Sequence, residues 1–280
     1  MSATSVVPKL GIVRNPFRNY HHPRPGPHDQ HLPPYLLPIL TARPAANLLA
    51  YDFYSQGISP LSITDSKDFT INRFVTDLDA LVALEAPTGM LKIVAHSAGT
   101  FIASRWLLSS SAAARIPRAV SLGGLIRTPI SAEVAAMQMQ LAAAIEASGP
   151  VFTVDRTLPM LLDHKTLRER PVAVALLRGD NGADGHRYAA TIRAFSKGPI
   201  SEGSAIAWET FPGNVKSLIV DGEEDAVASP DIISAMESNI PRARMELLKE
   251  VGHSPSIEAP AETADVIVSF LQENQVQQPE

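Results

Sequence analysis

The sequence predicts an α/β fold in which a mostly parallel, doubly wound sheet carries a helical insertion. The first observation is that short apolar runs alternate with helical patterns in residues 48–125 and again in residues 213–271. The second is that these runs contain no alternating polar residues, which is typical of strands buried on both faces. The third is that the stretch between them, residues 126–212, is rich in alanine and mostly helical in pattern. Parallel strands need crossover helices, and this alternation supplies them.

The first part of the predicted sheet lies within residues 1–125. Residues 1–47 differ from the rest, because they hold nine of the 23 prolines and four of the eight histidines. Proline fixes φ and removes a hydrogen-bond donor, so only Lys9 to Val13 and Tyr35 to Leu40 are expected to form regular elements there. The elements predicted after them are strands at Leu48 to Tyr51, Leu91 to Ala95 and Ala119 to Leu122, and helices at Phe74 to Val82 and Phe101 to Leu108.

The other two parts of the chain are the insertion and a return to the sheet. Within residues 126–212, apolar residues recur at the spacing of one helix face, at Val134, Met137, Leu141 and Ile145. Residues 213–280 again alternate strands with helices, at Lys216 to Val220, Pro230 to Asn239, Met245 to Leu248 and Ala261 to Leu271. We therefore divide the chain into two parts of one core, residues 1–125 and 213–280, around an insertion at 126–212.

Composition and charge exclude several classes of function. The 280 residues carry a net charge of −5, whereas an extended surface for nucleic acid would be basic. There are no cysteines, which excludes disulfides, thiolate metal sites and a cysteine nucleophile. No G-x-G-x-x-G or P-loop motif is present, and the histidines of residues 1–47 favour a polar loop over a metal site, so we expect no cofactor and no metal. With no apolar run of roughly 18 residues and no signal peptide, we expect a cytoplasmic protein without a membrane span.

The most informative segment is Ile93 to Thr100, in which a predicted strand is followed directly by a helix. Ser97 lies at the turn, and the residues two positions away, Ala95 and Gly99, are small. So tight a turn forces the serine into a strained backbone conformation and needs small residues where strand and helix approach each other. It would expose the hydroxyl at a helix N-terminus, where the Ala98 N–H could bind an oxyanion. The alternative is that Ser97 only caps the helix, as serine often does.

This segment resembles the nucleophile elbow of the α/β-hydrolase family, whose usual pattern is G-x-S-x-G, with Ala95 at the first glycine. In that family an acid and then a histidine follow the serine, each after a later strand. Asp225 lies three residues after Gly222, as in the family's strand-end G-x-x-D motif, and the resemblance assigns it as the acid. Asp221 and Glu224 remain competing acids.

A histidine loop extends the resemblance. Gly252 and His253 follow the next predicted strand and look like the family's G-H loop, which assigns His253 as the base. A serine is a poor nucleophile unless a base takes its proton and a third group holds that base. The resemblance thus implies a catalytic triad of Ser97, Asp225 and His253, in an α/β-hydrolase fold whose insertion forms a cap over the site.

The resemblance also bears on the oxyanion site and on the reaction. His22 to Asp29 looks like a degraded form of the H-G-rich turn of proline iminopeptidase-like members, with Pro23 and Arg24 at the glycine positions. Since proline has no N–H, Arg24 is the candidate second oxyanion donor beside Ala98. The implied protein is an esterase-like serine hydrolase, which cleaves an ester, lactone, thioester or amide of a small apolar substrate. The alternative is a non-hydrolytic ligand-binding or catalytically impaired protein of the same fold, which the degraded turn favours.

Overall fold

The computed structural model describes residues 9–13, 47–50, 70–124, 132–181, 185–201, 211–228 and 230–273. They contain a six-stranded sheet in which all neighbouring strands are parallel. Its strands are β1 (Lys9–Val13), β2 (Asn47–Ala50), β3 (Leu91–His96), β4 (Arg118–Leu122), β5 (Lys216–Gly222) and β6 (Ala243–Leu248). The predicted α/β fold class with a parallel sheet is therefore confirmed, whereas the element expected at Tyr35 to Leu40 lies outside the described residues.

The strands lie across the sheet in the order β2-β1-β3-β4-β5-β6. The chain first moves from β1 to β2 on one side and then returns past β1 to build the other side from β3 onward. Where the direction of winding switches in this way, the loops after neighbouring strands diverge and leave a crevice at the carboxyl edge, which is where open α/β sheets bind ligands. The switch falls between β1 and β3, and Ser97 directly follows β3.

The helices in the described part of the chain include those predicted, together with several that were not predicted individually. They are α1 (Ile71–Glu85), α2 (Ala98–Ser109), α3 (Ala132–Ser148), α4 (Pro150–Leu161), α5 (His164–Glu169), α6 (Pro171–Asn181), α7 (Gly185–Ser201), α8 (Pro230–Asn239), α9 (Pro255–Glu258) and α10 (Pro260–Gln272). Helix α2 begins three residues earlier than expected, because the chain turns from strand to helix within Ser97 itself. None of the described helices is long and apolar enough to cross a membrane.

Helices cover both faces of the sheet, and successive strand residues point to opposite faces. Ile93 and Ile219 pack in the core that the sheet forms with α1, α2 and α8. Val94, Val120 and Leu218 pack in a second core, which is formed with α10. Because both faces are buried, every position along these strands favours an apolar residue, and this produced the uninterrupted apolar runs in the sequence.

The helices inserted between β4 and β5 build small apolar cores of their own. One lies among α4, α5 and α6, with Val154, Leu158 and Val174 at its centre, and another joins α3 to α7 through Ile145 and Ala189. A further residue of α7, Ala194, packs into the first core of the sheet instead. These helices are thus held by contacts among themselves as well as by contacts with the sheet.

The end of β5 lies against the loop that follows β6. A Cβ atom on Gly222 would lie 1.9 Å from the carbonyl oxygen of Val251 and 2.4 Å from that of Gly252. The Glu224 N–H donates a hydrogen bond to the same Val251 carbonyl at 3.0 Å. This contact brings the acidic turn and the histidine loop together, and it leaves no room for a side chain at position 222.

We predict that Gly222→Ala lowers the free energy of unfolding by about 3 kcal/mol or prevents folding, because backbone atoms that cannot rotate away surround the new methyl group. Gly213→Ala is the matched control, since nothing lies within 4 Å of a Cβ there. We expect the control to change the free energy of unfolding by no more than about 1 kcal/mol. Urea unfolding followed by circular dichroism measures both values, and equal stability of the two variants would contradict the prediction.

Candidate active site

Ser97 lies in the tight turn between β3 and α2 and has a backbone φ of 51° and ψ of −123°. A positive φ is strained for a residue other than glycine and persists only where the surroundings hold it. Here the Ser97 N–H donates to the Leu122 carbonyl at 2.9 Å, and the N–H of Thr100 donates to the Ser97 carbonyl at 2.9 Å. The Ser97 side chain makes no capping hydrogen bond to the helix. The hydroxyl is thus presented to other groups, which excludes the simple capping alternative.

A continuous chain of hydrogen bonds joins Ser97 to His253 and Asp225. His253 Nδ1 lies 2.8 Å from Asp225 Oδ2, and His253 Nε2 lies 2.8 Å from Ser97 Oγ. Because an ionised carboxylate only accepts hydrogen bonds, Nδ1 carries the imidazole proton. Nε2 is then unprotonated and accepts the hydrogen of the serine hydroxyl. The structure therefore brings together the three residues that the sequence assigned as nucleophile, base and acid.

The Asp225 carboxylate is held in place from two sides. Oδ1 accepts the N–H groups of Val227 at 2.6 Å and Ala228 at 2.9 Å, and Oδ2 accepts from His253. Burial opposes ionisation of this group, but its hydrogen bonds, that from His253 foremost, outweigh burial and lower the pKa of Asp225 to about 2. Asp225 thus stays ionised throughout the neutral range, as a group that orients an imidazole must.

The sequence profile of the alpha/beta hydrolase family matches residues 22–266, which is most of the chain. The chain belongs to the alpha/beta hydrolase family. The predicted resemblance is therefore confirmed, and the family assignment supports the prediction that the protein is a hydrolase.

Individual proteins are similar to this chain either over a short stretch of sequence or over the whole fold at low sequence identity. Over 56 residues the chain is 34% identical to Lipase 1 of Psychrobacter immobilis, an alignment that covers 20% of this chain and 18% of that lipase. The chain thus matches less than a fifth of the length of this curated relative. A solved esterase from Thermogutta terrifontis superposes with a TM-score of 0.77 at 19% identity, covering 96% of this chain and 90% of that one. The enol-lactonase from Burkholderia xenovorans LB400 gives 0.75 at 19% identity, covering 97% and 94%. At this identity the two structures show a shared fold.

Only one of the two predicted oxyanion donors can be placed. Ala98 is the first residue of α2, so its N–H has no acceptor within the helix. Arg24 lies outside the described residues. The last residue of β1, Val13, is paired with Ala95 two residues before the serine, so β1 ends beside the elbow.

The structure separates the three acids that the sequence left in competition. Of Asp221, Glu224 and Asp225, only the last binds His253. Glu224 is exposed to solvent. Asp221 is completely buried at the end of β5, where its Oδ1 accepts the Gly222 N–H at 2.8 Å. Asp225 is therefore the acid that the geometry supports.

Glu258, to which the sequence analysis assigned no role, holds the histidine loop. Its Oε1 accepts the N–H groups of Gly252 at 3.0 Å and Ser254 at 3.1 Å, the two residues that flank His253. Its Oε2 accepts the Asp163 N–H, just before α5, at 2.7 Å. Burial raises the pKa of Glu258 to about 7, and backbone hydrogen bonds act in the opposite direction. The sequence signal that could have indicated this role is an acid that lies between Pro255 and Pro260, shortly after the histidine.

Two further residues that sequence reasoning missed fix the backbone of His253. His96 Nε2 lies 2.9 Å from the His253 carbonyl oxygen and donates to it. Gly123, directly after β4, has a φ of +54°, and a Cβ there would lie 2.6 Å from that same oxygen and 3.1 Å from the His253 ring. The histidine is therefore enclosed by groups from β3, β4 and the loop before α9.

We predict that Glu258→Ala lowers the free energy of unfolding by about 3 kcal/mol or more, because it leaves three buried N–H donors without an acceptor, at about 1–3 kcal/mol each. Glu262→Ala is the control, since Glu262 is exposed one helix further on. We expect that variant to stay within about 0.5 kcal/mol of the wild type. Chemical denaturation at neutral pH measures both, and a Glu258→Ala protein as stable as the control would contradict the assigned role.

Proposed function

We propose that this protein is a serine hydrolase that cleaves an ester, lactone, thioester or amide of a small apolar substrate. The observation that carries the proposal is the hydrogen-bonded sequence Ser97 Oγ, His253 Nε2, His253 Nδ1 and Asp225 Oδ2, with 2.8 Å at both links. A serine hydroxyl that donates to an imidazole, which in turn donates to a buried carboxylate, is the arrangement that activates serine for attack on a carbonyl. The strained backbone of Ser97 supports the same assignment.

In the proposed first step, Ser97 Oγ attacks the carbonyl carbon of the substrate while His253 Nε2 takes the hydroxyl proton. The carbonyl oxygen becomes an oxyanion, which the Ala98 N–H at the positive end of α2 stabilises. We propose Arg24 as the second donor. The tetrahedral intermediate then collapses, and the bond to the leaving group breaks as His253 passes its proton to that group. The product of this step is an acyl-enzyme on Ser97.

In the second step, water takes the place of the leaving group. His253 Nε2 removes a proton from the water, whose oxygen attacks the acyl carbon. The second tetrahedral intermediate then collapses, the bond from the acyl carbon to Ser97 Oγ breaks, and His253 returns the proton to Oγ as the acid leaves. In both steps the imidazole is transiently positive. The ionised Asp225 stabilises that charge and keeps Nε2 directed at the serine.

We further propose that residues 126–212 form a cap over the site, between core parts at 1–125 and 213–280. Two contacts support this arrangement, because both join the start of α5 to the histidine loop. They are the Asp163 N–H to Glu258 and the ion pair of Lys165 with Glu250. Esters and lactones are the first substrates to test, since the similar folds include an esterase and an enol-lactonase.

We predict that a fluorophosphonate probe labels the purified protein at Ser97 and that Ser97→Ala or His253→Ala abolishes the labelling. The probe reacts rapidly only with a serine that a base activates. Ser109→Ala is the control, because Ser109 is an exposed serine in the last turn of the same helix, and we expect that variant to react like the wild type. Folded protein that stays unlabelled would overturn the hydrolase proposal and favour a non-hydrolytic ligand-binding protein.

We predict that Asp225→Asn lowers kcat for an activated aryl ester by about 10³–10⁴-fold, because an amide that donates to Nδ1 stabilises the wrong imidazole tautomer. KM should change little, since Asp225 is not expected to contact the substrate. Glu224→Gln, the same change at the exposed neighbouring acid, should leave both constants within about twofold of the wild type. Steady-state kinetics on the wild type and the two variants measure these constants. Full activity of Asp225→Asn would mean that another acid orients His253.

A further inference from the structure

Asp221 is a buried acid that the proposed mechanism does not use. Its exposed fraction is 0%, and one oxygen, Oδ1, accepts the Gly222 N–H at 2.8 Å. The other oxygen, Oδ2, is buried and has no hydrogen-bond partner among the described residues. A carboxylate in this position would carry a full charge without solvent and with half of its acceptor capacity unused, which is costly.

Asp225, the acid of the site, lies in the turn that directly follows Asp221 and Gly222. Its N–H donates to the Gly222 carbonyl at 3.2 Å, which folds the turn back toward the strand end, and each of the two carboxyls influences the ionisation of the other. An ionised carboxylate can only accept hydrogen bonds. Asp225 therefore offers no donor to Oδ2 of Asp221 while both acids are charged. If one acid is protonated, the repulsion is replaced by a charge-assisted hydrogen bond.

The surroundings decide which of the two acids carries the proton. Asp225 already accepts hydrogen bonds from Val227, Ala228 and His253, all of which favour its ionised form. Asp221 accepts from the Gly222 N–H at its own strand end. The remaining titratable groups on the adjoining described loops are exposed to solvent, namely Glu223, Glu224, Lys249 and Glu250. No buried cation among these groups favours ionisation of Asp221.

We propose that Asp221 is a neutral carboxylic acid whose Oδ2–H donates to the Asp225 carboxylate and positions it toward His253. Asp221 is thus a positioning residue, which acts through Asp225 and has no contact with the reacting atoms. Its effect on turnover rests on the proposed serine hydrolase function. The location of the proton at neutral pH is a property of the folded protein and does not depend on that function.

The electrostatics of the pair agree with this assignment. Burial and, after it, the neighbouring Asp225 raise the pKa of Asp221 to about 9, and the N–H groups of Gly222 and Gly124 offset this by a smaller amount. The usual pKa of the group is 3.8. At a pH between 3.8 and about 9, the folded protein holds one proton more on Asp221 than the unfolded chain does. The contribution of Asp221 to stability is therefore greatest in acid and declines as the pH rises from about 4 to about 9.

The first experiment compares the wild type with Asp221→Asn, whose amide is neutral at every pH, accepts from Gly222 and donates to Asp225. Urea unfolding is measured at pH 6, 7 and 8. We expect the equilibrium constant for unfolding to rise with each pH unit about tenfold more in the wild type than in the variant. This difference corresponds to one proton that the wild type releases on unfolding. The contribution of Glu258 is present in both proteins and cancels in the comparison. Parallel pH dependences would overturn the proposal.

A spectroscopic measurement on the wild type covers the case in which the variant does not fold. Carbon NMR of protein labelled at the aspartate γ-carboxyl should show one acid that is neutral at pH 7 and titrates only toward pH 9. A spectrum in which every aspartate is ionised at pH 7 would overturn the proposal.

The positioning role is tested by kinetics on two substitutions of similar size. Asp221→Asn retains the donor to Asp225, and we expect its kcat to remain within about threefold of the wild type at pH 7. Asp221→Leu removes the donor, and kcat should fall by about tenfold or more with KM unchanged. Equal kcat values for the two variants would overturn the positioning role. A wild type that hydrolyses no substrate would refute the proposed function, while the stability and NMR results would still decide where the proton lies.

Discussion

The geometry of the site depends on the hydrogen bond between Ser97 and His253, which joins residues 156 positions apart in the chain. Neither partner can adjust freely to make it. Ser97 is fixed by the turn between β3 and α2, and its backbone is held in a strained conformation by the end of β4. His253 lies in a loop with no regular structure, so its position must come from contacts with other elements. A 2.8 Å bond between two such groups requires the loop to be fixed nearly as firmly as the strand.

The loop is fixed through its backbone and through the imidazole of His253, and two buried carboxylates take part. Glu258 binds the N–H groups on both sides of His253, and Asp225 binds the imidazole itself. Asp221 lies behind Asp225 and is fully buried. Asp221 and Asp225 would repel each other if both were ionised. Their environments differ, because Asp225 accepts from Val227, Ala228 and His253, whereas Asp221 accepts from the backbone of Gly222 and Gly124.

The features that could be predicted from the sequence are those set by neighbouring residues. The elbow was predictable because small residues at positions 95 and 99 and the serine between them act within a single turn, and the strands were predictable because burial on both faces leaves a continuous apolar run. The choice of Asp225 over Asp221 needed the resemblance, since both acids follow the same strand. The roles of Glu258 and Gly123 were not predictable, because their partners come from other elements and become neighbours only when the sheet has formed. The oxyanion role of Arg24 and the cap over the site stay predictions.

The contact between the insertion and the histidine loop has a consequence for how such a protein diversifies. On the side of the insertion, the group that binds Glu258 is the main-chain N–H of residue 163. Every amino acid except proline supplies that donor, so this hydrogen bond itself needs no particular side chain at the position. The apolar clusters among α3 to α7 also hold these helices together, while Ala194 of α7 packs into a core of the sheet. Side chains on these helices that lie outside such contacts can therefore change without moving the turn and loops that hold Ser97, His253 and Asp225.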